Sequence, residues 1–104
     1  MKQLLVIAAL ALSGCATTAA SLAETRVEKT ISSGKTAAKF ALCAAENLTS
    51  SEYRTDGERH WVLVQVYGVP RHRWDFVPTG DGSIAELRST GLAGAGAGAV
   101  ERCS

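Results

Sequence analysis

Three cysteines, Cys15, Cys43 and Cys103, are the side chains best suited to covalent chemistry in this chain of 104 residues. A cysteine sulfur can attack an electrophile, ligate a metal ion or form a disulfide. The redox state of the compartment decides between a free thiol and a disulfide. The residues that precede Cys15 indicate that compartment.

The segment before Cys15 has the composition of a secretory signal peptide. Lys2 provides a positive start, and residues 4–12 are an unbroken apolar run. A membrane-spanning helix needs about 20 apolar residues, so this run is too short to remain in a bilayer. The tetrad that ends it, Leu12-Ser13-Gly14-Cys15, resembles the lipobox of bacterial lipoproteins.

This resemblance implies cleavage before Cys15 and attachment of diacylglycerol to its sulfur, which anchors the chain to a membrane. The resemblance also implies a location in the bacterial envelope, at the periplasmic face of the outer membrane, because Ala16 and not aspartate follows the cysteine. Two or more acyl chains hold a protein to a bilayer stably. The alternative is ordinary cleavage near Ala19-Ala20-Ser21, which would leave a soluble protein.

With Cys15 assigned to lipid, Cys43 and Cys103 remain as an even pair in an oxidising compartment. We expect a disulfide between them. In the chain-entropy model, a bridge that closes a loop of about 60 residues contributes about 4 kcal/mol of stability. A reactive thiol or a metal ligand is the competing interpretation.

The two histidines, His60 and His72, do not by themselves predict a metal or catalytic site. A zinc ion would need third and fourth ligands, and only Glu58 or Asp75 is near in sequence. We find no serine or cysteine nucleophile with a plausible base and orienting carboxylate. The sequence therefore predicts a protein that is not an enzyme and that uses neither a metal nor another cofactor.

The segment 61–74 combines aromatic and basic side chains, the types enriched at binding hot spots. The candidate binding residues are Tyr67, Arg71, His72, Arg73 and Trp74. The alternative is that the aromatic residues complete a small core, and we favour the core for Trp61 and Phe76. Nucleic acid is excluded as a partner, because 11 basic and 10 acidic residues leave the chain nearly neutral.

One helix and a set of strands must position these side chains. Ser32 or Ser33 can cap a helix. A helix-spaced apolar stripe follows at Ala37, Phe40, Ala41, Ala44 and Leu48. Alternating residues and turn signals then predict strands at 52–55, 59–67, 72–77 and 83–89. Residues 93–102 predict a short final helix or coil.

These elements predict a two-layer α+β fold, in which an N-terminal helix packs on an antiparallel meander of three or four strands, with one disulfide. We divide the chain into a signal peptide (1–14), a lipidated cysteine and tether (15–33) and a small α+β domain (34–104). Within the tether, residues 22–31 could instead form a short helix. Many of the apolar residues are alanine, so the core is expected to be thin.

The expected function is that of a membrane-anchored envelope lipoprotein that acts as a non-enzymatic binding module. Apart from the membrane, the expected partner is another envelope protein or a component of the cell wall. Beyond the lipobox, the Ser33-Gly34-Lys35-Thr36 opening, Cys43 and Cys103 resemble small lipoproteins of bacteria and their prophages. The alternative function is inhibition of a lysozyme or exclusion of a second phage.

Overall fold

The computed structural model describes residues 22–90 and 95–104. In chain order the elements are β1 (Lys29–Ser33), α1 (Ala37–Asn47), β2 (Ser51–Asp56), β3 (Arg59–Val66), β4 (Val69–Pro78), β5 (Ser83–Ser89) and α2 (Ala97–Cys103). The strands form one antiparallel sheet in the order β1-β5-β4-β3-β2. The α+β class is confirmed, but the sheet has five strands where three or four were expected, and within residues 22–90 strand β1 comes before the predicted helix.

The strand absent from our prediction is β1. Ser32 and Ser33, which we expected to cap the first helix, pair instead with β5. Ile31 is the buried residue of β1 and lies opposite Ala85. Pairing with β5 satisfies the backbone groups on one side of this edge strand, and Ile31 adds one buried side chain. Residues 29–33 of the predicted tether thus belong to the sheet.

Helix α1 begins after Thr36, whose Oγ1 accepts a hydrogen bond from the backbone N–H of Lys39 at 3.3 Å. The predicted apolar stripe, from Ala37 to the C-cap residue Leu48, is buried as expected. Its alanines allow close approach to the sheet, and Phe40 meets Phe76 edge to face with ring centroids 5.0 Å apart.

Both helices cover the same side of the sheet, which we call the inner face. Its buried strand residues are Ile31, Val62, Val64, Trp74, Phe76, Ala85 and Leu87. They form one cluster with the stripe of α1 and with Val100 and Cys103 of α2. The opposite side, which carries Trp61, Leu63, Arg73, Asp75 and Arg88, is called the outer face.

The predicted disulfide is confirmed: Cys43 of α1 is bonded to Cys103 of α2, with their Cα atoms 5.8 Å apart. The final helix spans Ala97–Cys103 and so begins later than the predicted residue 93. Gly96, at φ +78°, precedes it, and a Cβ there would collide with the side chain of Leu48. The bridge and this close packing tie α2 to the end of α1.

The signal peptide, Cys15 and the first part of the tether lie outside the described residues and stay predictions. In the part of the chain that is described, no helix has the length and apolar character needed to cross a membrane.

Candidate binding surface

The five candidate binding residues occupy three different environments. Trp74 and His72 lie on the inner face, Arg73 lies on the outer face, and Tyr67 and Arg71 lie where β3 turns into β4. The five candidates therefore do not form one continuous surface.

Trp74 is a core residue with none of its surface exposed. It lies opposite Val62, and its Nε1–H donates to the carbonyl of Ala95 at 2.9 Å. The register of β3 with β4 turns this indole towards the helices, and Phe76 follows it two residues later. Trp74 is thus removed from the binding candidates, and the core position favoured for Phe76 is confirmed.

His72 is also buried on the inner face, with its Nδ1 2.8 Å from Ser89 Oγ in a hydrogen bond. Burial lowers the pKa of His72, and the nearby negative charge of Glu28 partly opposes that shift. Serine and histidine are the residue types of a nucleophile and its base, but only 8% of Ser89 and 1% of His72 is exposed. A substrate cannot reach this pair in the folded domain.

The second histidine, His60, has a different partner. Its Nδ1 lies 2.7 Å from the hydroxyl of Tyr53, and the two rings stack. His60 lies opposite Phe76 and His72 opposite Val64, so the fold does not bring the histidines together. Among residues 22–90 and 95–104, no group of three or more His, Cys, Asp or Glu side chains could hold a metal ion.

Arg73 lies against Trp61 on the outer face, with its guanidinium carbon 4.8 Å from the ring centroid. The guanidinium is held in place by Asp75, because Nε donates to both carboxylate oxygens at 3.0 Å and Nη2 donates to Oδ1 at 2.8 Å. A cation in this position attracts the electron-rich ring face. Arg73 is only 7% exposed, so the accessible surface of this group is that of Trp61 and Asp75, which are half-buried.

Asp75 also accepts a hydrogen bond from Arg88, whose Nη1 lies 3.0 Å from Oδ2. Arg88 in turn donates through Nε to the carbonyl of Thr25 at 3.0 Å. The chain just before β1 therefore crosses one part of the outer face, and Leu22 there is 1% exposed. One carboxylate thus organises two arginines, one beside Trp61 and one beneath the incoming chain.

Trp61 is half-buried and does not belong to the core cluster, so the core position we favoured for it is wrong. Its indole Nε1 is buried without a hydrogen-bond partner among the described residues. A buried N–H in this state costs about 1–3 kcal/mol. The alternation Trp61-x-Leu63 in β3 and Arg73-x-Asp75 in β4 could have revealed this surface, had the pairing register been known.

The turn between β3 and β4 presents Tyr67, which is fully exposed, with a relative accessibility of 101%. Tyr67 has φ +53° and Gly68 has φ +76°, the left-handed pair of a type I′ hairpin turn. Asparagine is the usual first residue of such a turn, and a tyrosine there is strained. We call residues 66–71, which include Arg71, the hairpin tip.

The opposite end of the sheet contains an open cleft of about 660 Å³. The start of α1, the β2–β3 turn and the β4–β5 turn line it, with His60, Glu58 and Asp81 among the polar side chains. The turn after Asp56 and the turn at residues 79–82 both lie at this end.

Comparison with protein-family models, curated proteins and solved structures finds no match to this chain.

Proposed function

We propose that this chain is a lipid-anchored protein of the bacterial envelope that binds an envelope protein or a cell-wall component through its outer face, without catalysing a reaction. The lipobox tetrad that ends at Cys15 supports the anchor. The observation that carries the binding role is Trp61, a tryptophan outside the core with arginine beside it and an unpaired indole N–H.

The arrangement of Trp61 and Arg73 favours binding because these side chains are already held in place in the free protein. Binding interfaces are enriched in tryptophan and arginine, and a few such residues carry most of the affinity. Asp75 already fixes the guanidinium of Arg73 at two points. A partner therefore meets a rigid surface and loses less conformational entropy on binding than it would with free side chains.

The unpaired N–H of Trp61 adds a second favourable contribution. In the free protein this group has lost water without gaining an acceptor among the described residues. Because this atom is buried, a partner's carbonyl or hydroxyl oxygen reaches it only when the indole turns outward, and that contact would then remove an existing cost. Such a partner is polar at this point, as both a protein backbone and a cell-wall saccharide are.

Site-specific photocrosslinking in cells tests the binding surface. A photoreactive residue at Arg54, which lies opposite Trp61 on β2, is expected to capture one defined partner. The matched control is Leu42, which is 46% exposed on α1 in the other layer. Capture of the same partner from Leu42 would contradict the assignment of the outer face.

Affinity for the identified partner then tests Trp61 itself. We expect Trp61→Ala to weaken binding at least tenfold, as removal of a hot-spot residue does. Trp61→Phe keeps a ring but removes the N–H, and is expected to have an intermediate effect. Leu42→Ala should leave the affinity unchanged, and an unaffected Trp61→Ala would overturn the proposal.

The anchor is tested separately. Cys15→Ala is expected to move the chain from the membrane fraction to the soluble fraction and to abolish labelling by a fatty acid. Retention of the label would show that another residue carries the lipid.

A further inference from the structure

The chain enters the sheet at the same end as the hairpin tip. Lys29 begins β1 and lies opposite Leu87, near the end of β5. The last residue of β5, Ser89, lies opposite His72, near the start of β4. Residues 67 and 68, which precede β4, therefore project from the end of the sheet at which the N-terminal segment arrives.

The length of chain before this end limits its distance from a lipid on Cys15. Leu22 is buried, and the carbonyl of Thr25 is bonded to Arg88 on the outer face. Only six residues lie between Cys15 and Leu22, and the seven residue steps that join them span at most about 25 Å when extended. Given the proposed lipid anchor, on which this step depends, the domain is held close to the bilayer, and the end at which the chain enters the sheet is a candidate to face it.

We propose that the hairpin tip is a second membrane contact, in which Tyr67 lies among the lipid headgroups and fixes the orientation of the domain. A tyrosine suits this position because its ring is apolar and its hydroxyl is polar, and tyrosine is enriched at membrane interfaces. Tyr67 is fully exposed, and Val66, Val69 and Pro70 beside it are partly exposed. This end of the hairpin offers apolar surface with nothing from its own sheet to cover it.

Charge and backbone geometry favour a lipid surface as the occupant. Arg71 is the one charged residue of the hairpin tip, although Glu28 acts on the neighbouring His72 and Glu52 is bonded to Gln65. Lipid phosphates attract a basic side chain beside an interface. The left-handed backbone of Tyr67 is strained, and strain that persists at an exposed position points to a function for that side chain.

This orientation leaves the proposed partner site accessible. The strands run away from the hairpin tip, so Trp61 lies farther along β3 from the membrane than Tyr67 does. The open cleft at the other end of the sheet then faces away from the bilayer. One domain thus separates its lipid contact from its protein contact.

Fluorescence quenching in reconstituted vesicles tests the proposal. The lipidated full chain is placed in vesicles of phosphatidylethanolamine and phosphatidylglycerol, with or without lipid brominated near the headgroup. Tyr67→Trp reports on the hairpin tip, and Val77→Trp is the matched control, because Val77 is 42% exposed near the other end of β4. The wild-type chain gives the background fluorescence of Trp61 and Trp74, which is subtracted.

We expect bromolipid to reduce the added emission of Tyr67→Trp at least twofold and to leave that of Val77→Trp unchanged. Equal quenching of both positions, or of neither, would overturn the membrane contact. Flotation of the wild-type chain with the vesicles tests the anchor in the same samples. A chain that floats but shows no quenching at position 67 refutes only the second contact, whereas a chain that does not float refutes the anchor.

Discussion

The two faces of the sheet are stabilised by different forces. On the inner face, large apolar side chains such as Trp74 and Phe76 pack against an alanine-rich helix, and a disulfide joins the two helices. On the outer face, Asp75 holds Arg73 and Arg88, and Trp61 lies beside the first of these arginines. The inner face gains stability from buried apolar area, and the outer face from a few directional bonds.

This difference explains why Trp61 can lie outside the core of so small a domain. The inner cluster is formed without Trp61, which lies on the outer face and is available for the binding role that we propose. Ion pairs among Arg73, Asp75 and Arg88 help to order the outer face, where Leu63 and Arg73 are buried as well. Mutations can test whether the two faces differ in this way.

The largest effect is expected from the inner face. Phe40→Ala should lower the free energy of unfolding by about 3–5 kcal/mol, because it removes a fully buried ring and leaves a cavity against Phe76. Leu42→Ala, on the exposed side of the same helix, should change it by less than about 0.5 kcal/mol. Urea denaturation measures the free energy of unfolding of both variants. Similar losses of stability would contradict the assignment of the core to the inner face.

The loss of one negative charge on the outer face should lower the stability of the domain. Asp75→Asn leaves two partly buried arginines without their shared carboxylate, and we expect a loss of about 2–3 kcal/mol. Glu86→Gln is the control, since its carboxylate lies 3.9 Å from Arg88 and is more exposed. The thermal unfolding midpoints compare the two, and a larger loss from Glu86→Gln would move the centre of the network away from Asp75.

The stability of the domain should also depend on pH, because His72 is buried on the inner face. Because burial lowers the pKa of His72, the unfolded chain binds this proton more readily than the folded one, and stability falls as the pH drops below about 6.5. The change in the free energy of unfolding with pH stays under about 1.4 kcal/mol per pH unit, because only one proton is involved. Urea titrations from pH 8 to pH 5 measure it. His72→Gln should flatten the dependence, and an unchanged slope would assign it to other groups.

The smallest effect, of opposite sign, is expected at the hairpin tip. Tyr67→Asn should raise the free energy of unfolding by up to about 1 kcal/mol, since asparagine tolerates the left-handed backbone of this turn better. Tyr67→Phe keeps the strain and should show no gain. A loss of stability in Tyr67→Asn would mean that the ring contributes to the fold itself.

Much of the fold follows from local patterns in the sequence. The buried stripe of α1 and the strand at residues 83–89 match the prediction, because helical spacing and strict alternation survive in them. The disulfide followed from the number of cysteines. These features depend on periodicity or on counting, neither of which requires knowledge of the tertiary pairing.

The surface could not be predicted in the same way, because it depends on register. Which face Trp61 and Trp74 occupy depends on the length of the β3–β4 turn and on the irregular pairing at Val64 and Gln65. Strand β1 was not predicted, for a related reason. Its sequence has one apolar residue, Ile31, and only the partner strand shows that this residue points inward.

The position of β1 also affects how the chain can fold. β1 is the first of the five strands along the chain, but its partner in the sheet is β5, the last of them. Until β5 pairs with it, the backbone groups of β1 have no partner in the sheet and are open to pairing with another chain. The polar sequence Lys-Thr-Ile-Ser-Ser disfavours such pairing. The weak apolar pattern of this strand thus protects the incompletely folded chain from aggregation.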